Sequence, residues 1–501
     1  MTSDVRPVTQ QPAASAGPGL RPNAVGAKHL VFFVVSAAAP LTGMAGFVAL
    51  AFLFSGIVVP AGYLIAGAVY ALFAVGFTAM SRHVRNSGAF YAYVNAGLGP
   101  VAGVGAAVMA YVAYALGQVG FVAASGVFSS LMLQEIAGVR VPWQVSALAV
   151  GVLVAVLAFF KVTVGARVLG LLLVLELGVL FVLAIAVLFT GGHEGLSFHS
   201  FNPWNLLTPT VGVLFVFTFV MYTGFEQTAV YGEEARDPRR TVPRATYAAL
   251  AVLTLVFSFI SWIILMAAGP SRLDSLLSGD PAELMFTLST DYLGEALTAM
   301  MRILVVTSFI AGVLAPHNVG TRYLFSLGRE KVLPAAFARV HPATRTPSVA
   351  GVVHTTLVLG ILVVFGFTSL DPYTQIIVWT NTPTLVGVIA LEVLTSIAVI
   401  RFLGRSGTGE TRWQRTVAPA AAAVLLSAVL ALIVTQMDVL TGLGPLGNTL
   451  VLAPLAAGFA AGAARAVRMR RRGEGIRLFD AERDGLAMAS TRGTPSTSDL
   501  R

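Results

Sequence analysis

Between Lys28 and Arg82 the chain runs for 53 residues without an aspartate, glutamate, lysine or arginine. A helix that crosses a bilayer needs roughly 20 apolar residues. The run therefore holds two such helices, with a tight turn near Ile57 to Ala61. A second uncharged run, Asn86 to Gln134, covers 49 residues. It holds either two spans or one long span preceded by an amphipathic stretch. Further apolar runs lie at about 143–160, 168–190, 206–231, 246–269, 297–325, 348–368, 373–401, 417–437 and 446–465. A water-soluble fold is excluded, because only 11% of the 501 residues are charged, against about 25% in ordinary globular domains. That is too little polar surface to cover a chain of this size. The fold class expected is an all-α polytopic membrane protein.

Charge placement sets the count and the orientation. With 86–134 counted once there are twelve transmembrane helices. With the N-terminus in the cytoplasm, 29 of the 32 basic residues then fall on the cytoplasmic side or in the tails. Arg140 and Arg272 lie outside, and Arg302 lies within a span. The outer loops carry the acids Glu135, Glu194, Asp274, Asp280, Glu283, Asp291, Glu295, Asp371 and Asp438. This is the positive-inside asymmetry of membrane proteins, and it predicts both termini inside the cell membrane. The net charge of +9 is thus spent on orientation rather than on nucleic acid. The basic run Arg468 to Arg472 suits anionic lipid headgroups of the bilayer. The proline- and alanine-rich segment 1–27 has no apolar core and reads as a disordered cytoplasmic tail, as does 469–501. The chain has no cysteine, so thiolate metal sites and cysteine nucleophiles are absent.

The first span contains Pro40, Gly43 and Gly46 within seven residues. Proline removes an intrahelical hydrogen bond and glycine loosens the backbone. Peptide groups freed this way are tolerated in a membrane only against protein or a cavity. The sixth span repeats the device at Thr223 and Gly224, just before a lone carboxylate, Glu226. Interrupted first and sixth helices suggest two five-helix halves related by inversion, with substrate held where the breaks meet. The halves cover about 28–190 and 206–402, and two further helices occupy about 417–465. The competing reading treats these residues as ordinary packing and kink positions.

Four stretches then resemble one family. The segment "GFEQTAVYGEEARDPRRTVPRA" (224–245) resembles the sixth-span pattern of amino acid–polyamine–organocation permeases. "APLTGMAG" (39–46) resembles their first span. "NSGAFYAYVNAGLGPVAG" (86–103) resembles the loop before their third. "RYLFSLGREKVLPAAFARVHPATRTPSVA" (322–350) resembles their loop between spans eight and nine. The resemblance covers roughly 28–465. It implies the leucine-transporter-type fold, a 5+5 inverted repeat plus two C-terminal helices, and alternating-access transport of an amino acid or related small amine, by ion-coupled symport or by exchange.

For such a substrate, backbone amides around Thr42, Gly43, Met44, Ala45 and Gly46 suit a carboxylate, and carbonyls near Met221, Tyr222, Thr223 and Gly224 suit an ammonium. Tyr111, Tyr114 and Gln118, at helical spacing, wall the pocket or simply pack. A carboxylate in hydrocarbon is costly and faces a cavity or a partner. By family analogy Glu226 is a coupling or gating residue, and its alternative role is a structural bond to helix amides. Glu176 and Glu392 are also intramembrane, either proton-linked or bonded across helices. Arg302 is expected to snorkel outward or to pair with Asp291 or Glu295. Thr307 and Ser308 offer hydroxyls where sodium-coupled relatives of the fold hold an ion. His317, in "LAPHN", is expected to mark a kink. Some proton-coupled members of the family carry a lysine in span five; here Lys161 precedes that span, so this route is absent. The coupling ion, proton or sodium, stays open, and no other cofactor and no metal is expected. A permease-like sensor and a membrane enzyme are the competing classes. The seven histidines are scattered without metal spacing, and no phosphate-binding loop occurs.

Overall fold

The computed structural model describes residues 26–84, 90–160, 166–207, 211–230, 237–344, 346–405 and 409–473. Both tails, apart from residues 26–27 and 469–473, lie outside these ranges, as do residues 231–236 and 86–89 of the family-like stretches. In chain order the helices are α1 (Ala27–Ala37), α2 (Pro40–Gly46), α3 (Val48–Ser55), α4 (Val59–Met80), α5 (Phe90–Leu98), α6 (Pro100–Ala137), α7 (Trp143–Phe159), α8 (Ala166–Thr190), α9 (Val211–Val220) and α10 (Gln227–Val230). They continue as α11 (Pro238–Ala268), α12 (Leu273–Leu277), α13 (Leu284–Leu293), α14 (Glu295–Arg329), α15 (Ser348–Gly366), α16 (Ile377–Arg405), α17 (Ala418–Thr435), α18 (Met437–Thr441) and α19 (Gly444–Arg471). Among the described residues every extended regular element is helical.

Nine helical segments among the described residues are long and apolar enough to cross a membrane. Three shorter apolar helices accompany them: Leu30–Gly46 before the first, and Trp143–Phe159 and Val211–Val220 between later ones. Two of the three are short because the chain interrupts them, at Ala38–Ala39 and after Val220. The turn expected near Ile57 forms at Gly56–Val58, where Gly56 takes φ 61°, a conformation that favours glycine. The run 86–134 holds one long helix, α6, after the short α5. At 38 residues α6 is about 57 Å long, well beyond a hydrocarbon core of about 30 Å.

The central rod is α6. It packs against α5, α7, α14, α15, α16 and α19. A second group forms around α4, which packs against α9, α11, α16 and α17. The interrupted α1–α2 segment touches α11, α8 and α14, and α9 touches α4 and α16. Arg302 of α14 does not pair with Asp291 or Glu295. Its guanidinium makes a bidentate bond to Glu283 at 2.9 and 2.6 Å and lies over the Phe286 ring at 4.1 Å. The planar fork matches a carboxylate, and the ring shields the pair from water. Arg82 and His83 both meet Glu410 at 3.3 Å.

Close helix approach depends on glycine at the α5–α16 contact. A Cβ on Gly97 would overlap the backbone of Ala398, which cannot swing away as a side chain can. Gly97→Ala is therefore expected to cost about 1–3 kcal/mol through overpacking. It should lower the melting temperature of the detergent-purified protein. Gly178→Ala, where nothing lies within 4 Å, should leave it unchanged or slightly raised.

Candidate functional site

The first interruption follows from Pro40. A residue before proline is pushed out of the right-handed helical region, and Ala39 takes φ 44° and ψ 69°, a left-handed conformation rare outside glycine. The proline then starts α2, where its missing N–H costs nothing. The helix covers Pro40–Gly46, and all seven residues are buried. This corrects the expectation of bare amides for Gly43, Met44, Ala45 and Gly46, whose N–H groups belong to the helical ladder, whereas Thr42 sits in the first turn, where an amide has no helical acceptor. Gly43 N–H donates to Ala39 O, and Phe47 N–H to Gly43 O, both at 3.1 Å. The unwinding lies one turn earlier, because proline disrupts the residues preceding it, whereas Gly43 and Gly46 stay helical. The Leu41 amide, in the first turn of α2, bonds Glu176 of α8. The same carboxylate accepts from the Ser308 hydroxyl of α14 at 2.9 Å.

The second interruption spans Met221–Glu226. Here amides reach back three residues instead of four: Tyr222 to Phe219, Thr223 to Val220 and Phe225 to Tyr222, each at 3.1 Å. Gly224 takes φ 113°, which a side chain would strain. Its amide donates to Glu226 Oε2 at 2.7 Å, and Tyr114 of α6 donates to Oε1 at 2.5 Å. The Tyr114 distance is that of an O–H bond to a carboxylate. Glu226 is 3% exposed, and these donors make its burial tolerable. Tyr222 turns away from α2: its hydroxyl bonds Tyr63 O at 2.8 Å and Thr254 Oγ1 at 3.1 Å.

The helix that follows the first break touches the second break. A Cβ on Gly43 would overlap Met221 Cε, with Phe257 beside it. Around this junction two hydroxyls, Thr42 Oγ1 and Thr223 Oγ1, are buried without a partner among the described residues. An orphaned buried hydroxyl costs free energy unless something polar meets it. Thr42, Thr223 and Glu226 thus mark a seam of buried polar groups along the two interrupted segments. Met44, Ala45 and Gly46 lie on α2 itself, with Gly46 packed against Phe309 and Phe128.

The remaining candidates serve to link helices. Thr307 donates to Leu304 O on its own helix at 3.0 Å, whereas Ser308 reaches Glu176. Gln118 bonds His317 at 3.1 Å and His354 at 2.7 Å, and Tyr111 bonds His354 at 3.4 Å. His317 thus ties α14 to α6, and α14 continues as one helix through Pro316. His354 went unnoticed in the sequence, since nothing in its local pattern marks it.

The family described as amino acid permease matches residues 26–451. The chain belongs to that family. The amino acid permease family is one of membrane permeases rather than enzymes. An uncharacterized transporter of Mycobacterium tuberculosis is 28% identical over 129 residues, 26% of this chain and 28% of its own. The methylthioribose transporter of Bacillus subtilis is 27% identical over 130 residues, 26% and 27% of the two chains. The low-affinity putrescine importer of Escherichia coli is 26% identical over 129 residues, 25% and 27%. The matched segment thus spans little more than a quarter of each relative's length.

The Tyr114–Glu226 bond has a measurable worth. Hydrogen bonds to charged groups contribute about 1.5–3 kcal/mol, and neutral ones about 0.5–1.5. Tyr114→Phe should therefore lower the melting temperature more than Tyr111→Phe, whose bond is longer and runs to an imidazole. Equal losses would show that Glu226 gains nothing special from Tyr114.

Proposed function

We propose that this permease is a secondary active transporter that moves an amino acid or related small amine across the cell membrane by alternating access, coupled to an ion or to exchange. The observation that carries the reading is the meeting of two interrupted helices at Gly43 and Met221, beside Glu226 and two orphaned hydroxyls. Unwound segments at a repeat interface are where inverted-repeat transporters hold substrate. The seam offers hydroxyls and peptide groups, and its lining is otherwise apolar, which favours a neutral or apolar substrate over a dibasic one. The relatives' names, a putrescine importer and a methylthioribose transporter among them, keep a small amine within the class.

The proposed architecture is twelve spans, with nine long helical segments and three shorter apolar ones. Both termini are read as cytoplasmic from the charge bias. The helix contacts support a 5+5 repeat. Exchange α1–α2 with α9, α4 with α11, α6 with α14, α7 with α15 and α8 with α16. The contact α8–α14 then maps onto α16–α6, α7–α14 onto α15–α6, α2–α8 onto α9–α16, and α1–α11 onto α9–α4; all of these contacts occur. In this scheme Glu226 gates or couples, because it links the sixth-span break to α6. Thr307 and Ser308 remain the candidates for a sodium site, with Glu176 as the attached carboxylate.

Uptake of radiolabelled amino acids and putrescine into proteoliposomes of the full chain tests the reading. Saturable flux of at least one compound is expected. A sensor or an enzyme would give none for the whole set. Glu226→Gln is expected to slow pH-gradient-driven uptake about tenfold, equivalent to about 1.4 kcal/mol, with a smaller effect on binding. Uptake with an unaltered pH profile in that variant would remove Glu226 from the coupling role.

A further inference from the structure

Glu392 of α16 is fully buried, and both of its carboxylate oxygens are sealed from solvent with no donor among the described residues. It has the most sealed carboxylate group of the described residues, and nothing above gives it a role. Its neighbourhood is defined by charge. Glu226 acts on it electrostatically, and Tyr70 and Tyr114 each lie within electrostatic reach of both carboxylates. Neither tyrosine hydroxyl bonds Glu392. Tyr114 donates to Glu226, and Tyr70 points to Phe219 O at 3.5 Å.

The elements packed against α16 supply no compensating cation there. The helices α9 and α17 carry no ionisable side chain. On α5, Tyr91 and Tyr93 face Ser326 and Ser81. On α19, Arg465 bonds the Lys331 and Val332 carbonyls. Asp438 of α18 bonds Asn448, and Tyr373, in the turn before α16, lies near Asp280 and Asp371. Arg415, in the turn before α17, and Arg401 and Arg405, on α16 itself, are not among the groups acting on Glu392.

The contrast with Glu176 is informative. In the exchange of helices described above, Glu176 of α8 and Glu392 of α16 occupy corresponding helices. Glu176 faces the first-span break and α14, and finds the Leu41 amide and the Ser308 hydroxyl. Glu392 faces the sixth-span break and α6, and finds the Glu226 carboxylate and a tyrosine already engaged. Two carboxylate anions within electrostatic reach of each other in hydrocarbon, with donors for only one, are not a tolerable arrangement. When two carboxylates share a site, one holds the proton.

We propose that Glu392 is a proton-carrying site: in this closed arrangement it is the neutral acid beside an ionised Glu226, and the pair together holds one exchangeable proton. When the contact of Tyr114 with Glu226 opens, the proton passes between the two acids or out to water. The purpose of the site rests on the transport reading, since it names the coupling ion as a proton. Its test does not, because a chain that moved no amino acid or amine would still give the infrared result, and uptake is read separately.

The experiment is infrared spectroscopy of the full-length protein in lipid bilayers at neutral pH, comparing wild type with Glu392→Gln. The expected difference is loss of a carbonyl stretch belonging to a protonated carboxylic acid. Loss of carboxylate-anion bands instead would overturn the proposal. Glu392→Asp keeps the acid and covers a failure of the first variant to fold. It should shift the same protonated-acid band, and a shift confined to the anion bands would overturn the proposal equally.

Discussion

A peptide group inside a bilayer has no water to turn to, so each one must find its partner within the protein. The architecture around Gly43 and Met221 follows from that constraint. A chain that interrupts two buried helices must supply donors and acceptors where the regular ladder stops. At the first break a carboxylate from α8 receives the Leu41 amide. At the second, Glu226 receives the Gly224 amide two residues back, and α6 contributes a hydroxyl to the same carboxylate. The acids look out of place in so apolar a sequence, yet each of these two satisfies a backbone donor at a helix interruption.

The layout was largely legible in the sequence, and the partners were not. Uncharged runs located the helices, and the distribution of arginine favoured one long α6 over two shorter spans. Pro40 and Gly224 marked the interruptions because their effect on the backbone is local. Even so, the first break falls at Ala38–Ala39, since proline acts mainly on residues before it. Gly43 and Gly46 proved to be sites of close approach, to Met221 and to Phe309. The pairings of Tyr114 with Glu226 and of Ser308 with Glu176 cross 112 and 132 residues of chain. No local pattern carries that information, because it depends on which helix faces bury together. For the same reason Arg302 found Glu283, in the turn before α13, in place of the acids nearer to it in sequence.

The buried polar groups fall into two kinds. Some are closed circuits: Gln118 uses both ends of its amide on two imidazoles, and Arg302 is matched by a carboxylate and a ring. These fix one arrangement of helices, since breaking either leaves polar atoms stranded. Others are left open, the hydroxyls of Thr42 and Thr223 and both oxygens of Glu392 among them. Thr42 and Thr223 lie on the interrupted segments, whereas the Gln118 circuit joins α6, α14 and α15.

The position of Tyr114 and Gln118 on a single uninterrupted rod has a mechanical meaning. Four residues apart, they point about 40° from each other around the axis of α6. One reaches the sixth-span break, and the other reaches the imidazoles of α14 and α15. Because the rod is one rigid body, a twist that withdraws Tyr114 from Glu226 also strains the grip of Gln118. The glutamate and the imidazoles thus hold the same rod at two points one helical turn apart.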